Sequence, residues 1–158
     1  VSTDRLTAGR RTAAFGKTGP MDTSMSVTVD FVAPEMPEPL GNQELGKWGE
    51  ELAARYLQAY GYVVLARNWR RRAGELDLVT ACPQRKAVVA VEVKTRNAEV
   101  SVGSIEAITQ AKLARLRKLT GMWLQETGTR CERVCLDLVA ITVENNGSWL
   151  IRHLRDIS

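Results

Sequence analysis

The amino-acid sequence predicts a single α/β domain, and its length and two kinds of local pattern support this fold class. The chain has 158 residues, which suits one compact domain with its own core. Two segments show the apolar spacing of amphipathic helices, and five have the apolar, β-branched composition of strands. In chain order they give one helix, three strands, a second helix and two further strands.

The ends of these elements follow from residues that favour helix termini and turns. The first helix is predicted over 46–60, where Gly61 is suited to end it. The second helix is predicted over 105–126, with Ser104 as its N-cap. Strands are predicted over 62–67, 76–80, 87–95, 134–143 and 149–154. The second and third strands flank a loop that contains Pro83, so they could pair as a hairpin.

Residues 1–40 differ in composition from the rest of the chain. They are rich in Thr, Ser, Gly and Pro and carry no sustained helical or strand periodicity, which predicts a disordered N-terminal tail. The folded domain is therefore expected over residues 41–158. The charges of the first residues are scattered rather than followed by an apolar stretch, so we find no secretory signal and expect a cytoplasmic protein.

The overall composition is that of a soluble protein, and its positive charge fits an anionic partner, as well as an ordinary basic protein that binds none. Hydrophobic residues make up 44% of the chain and charged residues 25%, with a net charge of +4. No apolar run is long enough to cross a bilayer. The three cysteines are compatible with a reducing compartment. Cys131 and Cys135 lie in or beside a strand, where four residues span roughly 13 Å, beyond disulfide reach, so we expect free thiols.

The third predicted strand, residues 87–95, has one apolar face and one face that becomes charged. The period of two places Val89, Val91 and Val93 together, and it places Glu92 and Lys94 together on the other face. A carboxylate can bind Mg²⁺ or Mn²⁺, the carbonyl of Val93 can add a ligand, and the lysine can hold or help deprotonate a water molecule. Taken alone, the pattern fits a surface ion pair as well.

The preceding strand adds a second carboxylate pair. Alternation in Gly74–Val79 predicts that Leu76 and Leu78 point inward while Glu75 and Asp77 share the other face. Hydrolysis of a phosphodiester needs anionic ligands for a cation that neutralises charge in the transition state. Asp77 and Glu92 would supply them. The pattern therefore predicts a divalent-metal site.

Two further carboxylates need separate interpretation. Glu50 lies at the border of the apolar face of the first helix and would serve as a metal ligand, directly or through water, or as an acid–base group. Its alternative is an ordinary solvated charge beside Glu51. Asp137 shares a strand face with Val139 and Ile141, so we expect it to be buried and hydrogen-bonded rather than a ligand.

Basic residues near these carboxylates are candidates for phosphate contacts, with Trp69 available for base stacking. Such contacts give salt-dependent affinity that is largely independent of sequence. For the residues of the second helix, a solvated basic face is an equal alternative. The candidate nucleic-acid-binding residues are Arg70, Arg71, Arg72, Lys112, Arg115 and Lys118.

Several separated motifs, which together span residues 41–154, resemble one protein family. These are GKWGEELAARYLQAYGY, ARNWR, GELDLV, VAVEVKTR, a basic helix and VCLDLVAI. In this order they resemble the YraN-like family of predicted endonucleases. That family is similar to the archaeal Holliday-junction resolvases and is placed in the restriction-endonuclease-like superfamily.

The resemblance implies a fold and a set of site residues. The fold would be a restriction-endonuclease-like core of order α-β-β-β-α-β, with a mixed sheet flanked by helices and an extra C-terminal strand. Two positions depart from the family pattern: Leu76 precedes the catalytic aspartate, and the second helix begins Thr-Gln-Ala-Lys. The resemblance implies catalytic roles for Glu50, Asp77, Glu92 and Lys94, with Glu75 and Gln110 in support.

The function expected from residues and resemblance together is Mg²⁺- or Mn²⁺-dependent cleavage of DNA, with branched or structured DNA as a substrate by analogy. This analogy also leads us to expect a homodimer, because resolvases act on two-fold symmetric junctions. The alternative is a nucleic-acid-binding module of the same fold that has weak or no catalytic activity.

Overall fold

A computed structural model describes residues 2–6, 11–13, 29–36, 41–98 and 108–157. The two helices are Asn42–Ala59 (α1) and Gln110–Thr127 (α2). A short 3₁₀ turn, Pro83–Arg85, joins two of the strands. The strands are β1 Ser2–Leu6, β2 Arg11–Ala13, β3 Val29–Phe31, β4 Val63–Arg71, β5 Gly74–Cys82, β6 Ala87–Asn97, β7 Arg133–Val143 and β8 Trp149–Leu154.

One mixed sheet of six strands organises the domain. Its spatial order is β1-β8-β7-β6-β5-β4, and β2 pairs separately with β3. Strands β6 and β7 are parallel, whereas the other neighbours in the large sheet are antiparallel. A parallel pair needs a crossover connection, and α2 lies within the segment that joins β6 to β7. The β5–β6 hairpin and the α-β-β-β-α-β order with an extra C-terminal strand are confirmed.

Each face of the sheet is covered by one helix. Leu52, Tyr56 and Leu57 of α1 pack in a cluster that includes Val89 and Val91 of β6. On the opposite face, residues of α2 pack with Val88 and Ala90 in a second cluster. Because both faces are covered, the start of β6 is apolar at every position. The predicted division of β6 into two faces is confirmed.

Several element boundaries differ from the prediction, and two of these differences lie near the candidate site residues. Strand β4 continues past the predicted end at 67 to Arg71, because Arg70 and Arg71 pair with Glu75 and Gly74 of β5. Helix α2 begins at Gln110, and Thr109 caps it by accepting a hydrogen bond from the Lys112 N–H at 3.2 Å. The predicted cap, Ser104, lies outside the described residues. Neither described helix combines the length and the apolar character that a membrane crossing requires.

The prediction of a disordered tail over residues 1–40 disagrees with the parts of that segment that the structure describes. Residues 2–6 form strand β1, which pairs with β8. The Phe31 ring contacts the rings of Tyr56 and Trp149 at centroid distances of 6.1 Å, and Trp48 Nε1–H donates to the Pro34 carbonyl at 3.1 Å. The core therefore includes residues before the predicted boundary at 41. The apolar residues around Phe31 extend over only a few positions, which is too short for a sustained periodic signal.

A buried polar cluster surrounds Asp137 on the α1 side of the sheet. Asp137 is fully buried, and its carboxylate accepts hydrogen bonds from Arg85 Nη1 at 2.7 and 2.9 Å and from the Asp156 N–H at 2.9 Å. His153 Nε2 lies 3.0 Å from Asp137 Oδ2. Burial opposes ionisation of Asp137, but the hydrogen bonds from His153 and Arg85 outweigh it and lower its pKa. Its predicted structural role is confirmed.

The single histidine makes the stability of this cluster dependent on pH. Burial lowers the pKa of His153 in the folded protein, whereas an unfolded histidine has a pKa of about 6.5. Below that value the unfolded chain binds a proton that the folded chain excludes, so folding stability falls as the pH decreases. We expect the free energy of unfolding to fall, relative to His153→Gln, with a slope approaching about 1.4 kcal/mol per pH unit below pH 6.5.

Urea denaturation of both proteins between pH 7.5 and 5 measures this difference, and titrating groups that do not contact His153 cancel because the two proteins share them. A difference that stays constant over this range would contradict the prediction.

Candidate functional site

The site is built where strands β5 and β6 separate. Their antiparallel pairs run from Cys82–Ala87 to Leu78–Val91, and no backbone pair follows although both strands continue. Beyond this point Asp77 Oδ2 accepts a hydrogen bond from the Val93 N–H at 2.8 Å. The carboxylate therefore takes the place of a backbone acceptor for a partly buried N–H group. This bond fixes the Asp77 side chain in the gap between the strands.

The same position is irregular in the neighbouring hairpin. Strand β4 pairs with β5 at Arg67–Leu78 and at Trp69–Leu76, with no pair between them. The residue opposite Asp77 is Asn68, whose φ of 48° lies in the left-handed region. Asn tolerates this conformation better than most residues. The strands thus bend where Asp77 lies.

The bend changes which side chains share a face of β5. In a regular strand residues i and i+2 share a face, but Leu78 packs in the α1 cluster and Leu76 in the α2 cluster. The prediction that these two leucines point the same way is therefore wrong. Glu75 is exposed and pairs with Arg70 at 2.9 Å. We find no described contact between Glu75 and the carboxylates of the site.

Glu92 is the more buried of the two predicted ligands. It is 9% exposed, and its Oε1 lies 2.8 Å from Lys112 Nζ. Lys112 was predicted to lie on a basic phosphate-binding face of α2, but the structure brings it across to the acidic residues. Its position in the helix does not reveal which strand residue lies opposite. The ion pair neutralises a carboxylate that would otherwise be buried with its charge uncompensated.

Lys94 lies on the same face of β6 as Glu92. The strand is regular here, because Glu92, Val93 and Lys94 pair in sequence with Leu138, Val139 and Ala140 of β7. The period of two therefore applies, and Lys94 is half-buried. The structure thus places the carboxylate and the ammonium group on one face, as the spacing predicted.

Glu50 approaches from α1. Its Oε2 accepts a hydrogen bond from Asn68 Nδ2 at 2.8 Å. The preceding Gly49 faces Thr95 of β6 so closely that a Cβ atom there would collide with the threonine hydroxyl. Glycine therefore lets α1 lie directly against the end of β6, which brings Glu50 toward the separated strands.

The carboxylates share one electrostatic environment. Burial raises the pKa of Asp77 to about 7, and the negative charge of Glu92 adds to this rise. Glu50 raises the pKa of Asp77 further, whereas the Val93 hydrogen bond and Lys112 lower it. A carboxylate with such a pKa is partly protonated near neutral pH and would ionise fully beside a bound cation.

The donor set fits a hard divalent cation with few protein ligands. Among the described residues, no three side chains of His, Cys, Asp or Glu form a group that could hold a metal. Mg²⁺ is commonly bound through one or two carboxylates and several waters. Asp77 and Glu92 can supply the carboxylates, and the Val93 carbonyl can add a further oxygen ligand. Glu50, held by Asn68, suits contact through water, which is one of the roles predicted for it.

The predicted nucleic-acid-binding residues fall into two groups. Arg70 pairs with Glu75, and Arg71 pairs with Glu126 at 2.9 Å. The Arg71 guanidinium also lies 4.5 Å from the ring centroid of Trp69, which packs against the α2 cluster and is therefore not a free stacking surface. Lys112 pairs with Glu92, and the other three predicted residues, Arg72, Arg115 and Lys118, are exposed.

Arg115, an exposed basic residue of α2, lies against the β4–β5 hairpin. Gly74 begins β5 with a φ of 140°, and a Cβ atom there would meet Leu119 and Arg115 of α2. Glycine is needed for both the backbone angle and the close packing. The hairpin and α2 thus form one continuous surface beside Lys112.

The fold and this site define the class of the protein. A mixed sheet between two helices, with paired carboxylates where two central strands separate, is the arrangement expected of a restriction-endonuclease-like core. The chain therefore has a nuclease-like α/β fold.

Comparison with known proteins identifies the family. The model of the uncharacterised protein family UPF0102 matches residues 49–141. The chain belongs to this family, which is the YraN-like group that the sequence motifs indicated. The match begins in α1 and includes the candidate ligands and Lys94.

Individual relatives extend over more of the chain. A UPF0102 protein of Mycolicibacterium gilvum is 47% identical over 113 residues, which are 72% of this chain and 92% of the relative. One from Kineococcus radiotolerans is 44% identical over 115 residues, covering 72% of this chain and 93% of the relative. Among solved structures, Pyrococcus furiosus SfsA in complex with Ca²⁺ is similar with a TM-score of 0.32 and 14% identity, over 93% of this chain and 77% of SfsA.

The Lys112–Glu92 ion pair predicts how the site behaves without metal. Lys112→Met keeps the length of the side chain and removes its charge, which leaves the buried Glu92 carboxylate uncompensated. We expect the free energy of unfolding in the presence of a chelator to fall by about 1–3 kcal/mol, between the values for exposed and buried pairs.

Urea denaturation measures this change, and Lys118→Met provides the control because Lys118 lies exposed on the same helix. The control should change stability by less than about 0.5 kcal/mol. Equal losses in the two variants would show that the ion pair contributes nothing specific.

Proposed function

We propose that the protein is a Mg²⁺- or Mn²⁺-dependent endonuclease that hydrolyses phosphodiester bonds in DNA. The observation that carries this proposal is the Asp77 carboxylate, held by the Val93 N–H in the gap between β5 and β6. There the charge of Glu92 raises the pKa of Asp77, and Lys94 lies on the same face of β6 as Glu92. The arrangement joins two anionic ligands to a cationic group on adjacent strands.

Each residue has a role that follows from its chemistry. Asp77 and Glu92 would hold the cation, which when bound neutralises charge that develops on the phosphate. Lys94 would orient the attacking water and assist its deprotonation. Glu50 would hold a water molecule at the edge of the site. Lys112 would move from Glu92 toward a phosphate oxygen when metal and substrate bind.

Exposed cations beside the site support an extended contact with the DNA backbone. Arg72 lies at the tip of the β4–β5 hairpin, and Arg115 and Lys118 lie on the adjoining helix. Such contacts neutralise phosphates without reading base sequence. Branched or structured DNA, and a homodimer to engage it, are the more specific form of this proposal.

The nuclease proposal is tested by cleavage of single-stranded, duplex, flapped and four-way DNA with Mg²⁺ or Mn²⁺. We expect Lys94→Ala to lower the cleavage rate by about 10²–10⁴-fold, the range typical of lost acid–base catalysis. Asp77→Asn should lower it by at least about 10²-fold, because it removes an anionic ligand of the cation that stabilises the transition state. Lys86→Ala is the matched control, because Lys86 is an exposed cation at the opposite end of β6. It should cleave at the rate of the unchanged protein.

If no substrate is cut, or if the site variants cut as fast as Lys86→Ala, the nuclease proposal fails. Salt-dependent DNA binding without cleavage would instead favour the alternative of a catalytically inactive binding module.

Binding of duplex DNA tests the basic surface separately. We expect Arg115→Gln combined with Lys118→Gln to weaken binding uniformly across sequences. The slope of log K against log salt concentration should decrease by about 0.9 for each lost phosphate contact. Arg152→Gln, an exposed arginine of β8, is the control for charge removal elsewhere. Fluorescence anisotropy at several salt concentrations measures both slopes, and equal slopes for the two proteins would exclude the proposed surface.

A further inference from the structure

We propose that Asn68 is a positioning residue that holds the Glu50 carboxylate toward the metal site. This inference rests on the proposed function, because it assigns Glu50 a place in the same site. Asn68 Nδ2 donates to Glu50 Oε2 at 2.8 Å, and Asn68 lies opposite Asp77 where the β4–β5 ladder is interrupted. One residue of β4 therefore joins α1 to the position opposite Asp77.

The backbone of Asn68 makes this contact possible. Its φ of 48° departs from extended strand geometry, so the alternation of side chains along β4 is broken. On the N-terminal side of Asn68, Arg67 points to α1 and pairs with Glu51. After it Trp69 packs in the α2 cluster. The Asn68 amide, at the point where the alternation breaks, contacts Glu50 of α1.

The neighbouring glutamate shows why an amide matters at this position. Glu51 is bonded by Arg55 at 2.7 Å and by Arg67, so two cations offset its charge. Glu50 accepts its hydrogen bond from a neutral amide, which fixes the carboxylate but leaves its charge in place. A carboxylate that is oriented and still anionic can hold a water molecule on a divalent cation. Two adjacent glutamates of one helix thus serve different purposes.

The test separates the amide from the backbone conformation. Asn68→Gly keeps access to positive φ and removes the donor. We expect it to lower Mn²⁺ affinity, measured by isothermal titration calorimetry, by about tenfold, within the range for residues that support metal sites indirectly. Glu50→Gln should give a similar loss. The double variant should lose no more than Glu50→Gln alone, because Asn68 acts through Glu50.

Arg67→Gln is the matched control, since it removes the partner of Glu51 at the adjacent position. It should bind Mn²⁺ within about twofold of the unchanged protein, within the ordinary effect of surface substitutions. Affinity of Asn68→Gly equal to that of the unchanged protein, or additive losses in the double variant, would overturn the proposal.

A crystal structure of metal-free Asn68→Gly separates this proposal from the nuclease proposal. We expect the Glu50 carboxylate to turn away from Asp77 when the amide is absent. If it keeps its place, Asn68 does not position it, whether or not the protein binds Mn²⁺ or cuts DNA. If the unchanged protein neither binds Mn²⁺ nor cleaves DNA, the nuclease proposal fails, while the orientation of Glu50 still decides the role of Asn68.

Discussion

The hydrogen bond from the Val93 N–H to the Asp77 carboxylate is the constraint on which the site depends. Strands β5 and β6 separate after the Leu78–Val91 pair, and separation of two central strands would leave a partly buried N–H group without an acceptor. Such a group costs about 1–3 kcal/mol. The carboxylate satisfies it from the side chain, so the strands diverge without that cost. The same bond holds Asp77 beside Glu92.

Two aspartates in this protein, Asp137 fully buried and Asp77 partly buried, show how surroundings decide the role of a carboxylate. Asp137 is held by Arg85, His153 and the Asp156 N–H, and these partners lower its pKa despite burial. Asp77 has one backbone donor, and burial with the charge of Glu92 raises its pKa to about 7. The charge of Asp137 is compensated by groups of the protein, whereas the ionised form of Asp77 would be stabilised by an added cation. Perturbed pKa values of the second kind are typical of functional sites.

Close packing of the two helices brings the remaining groups to this point from opposite faces of the sheet. Gly49 lets α1 approach Thr95, which brings Glu50 in from one side. Helix α2 covers the other face, from which Lys112 reaches Glu92. Gly74 lets the hairpin approach α2 at the same end of the molecule. The site is therefore shared by elements whose positions depend on the same core packing.

The sequence by itself determined the order of the main elements, the two faces of β6 and the burial of Asp137. These features depend on residue spacing within one element, where the periods of helix and strand are local properties of the backbone. Spacing also selected Asp77, Glu92, Lys94 and Glu50 as candidate site residues, and the family motifs supported this set.

Only the tertiary structure decided the bend at Asn68 and Asp77, the Lys112–Glu92 pair and the addition of β1 to the sheet. In the last two cases the partners belong to different elements: Lys112 of α2 meets a residue of β6, and residues 2–6 pair with β8. Spacing within an element does not specify what lies opposite it, because that depends on how separate elements pack. For the same reason Leu76 and Leu78, which a regular strand would place on one face, lie on two.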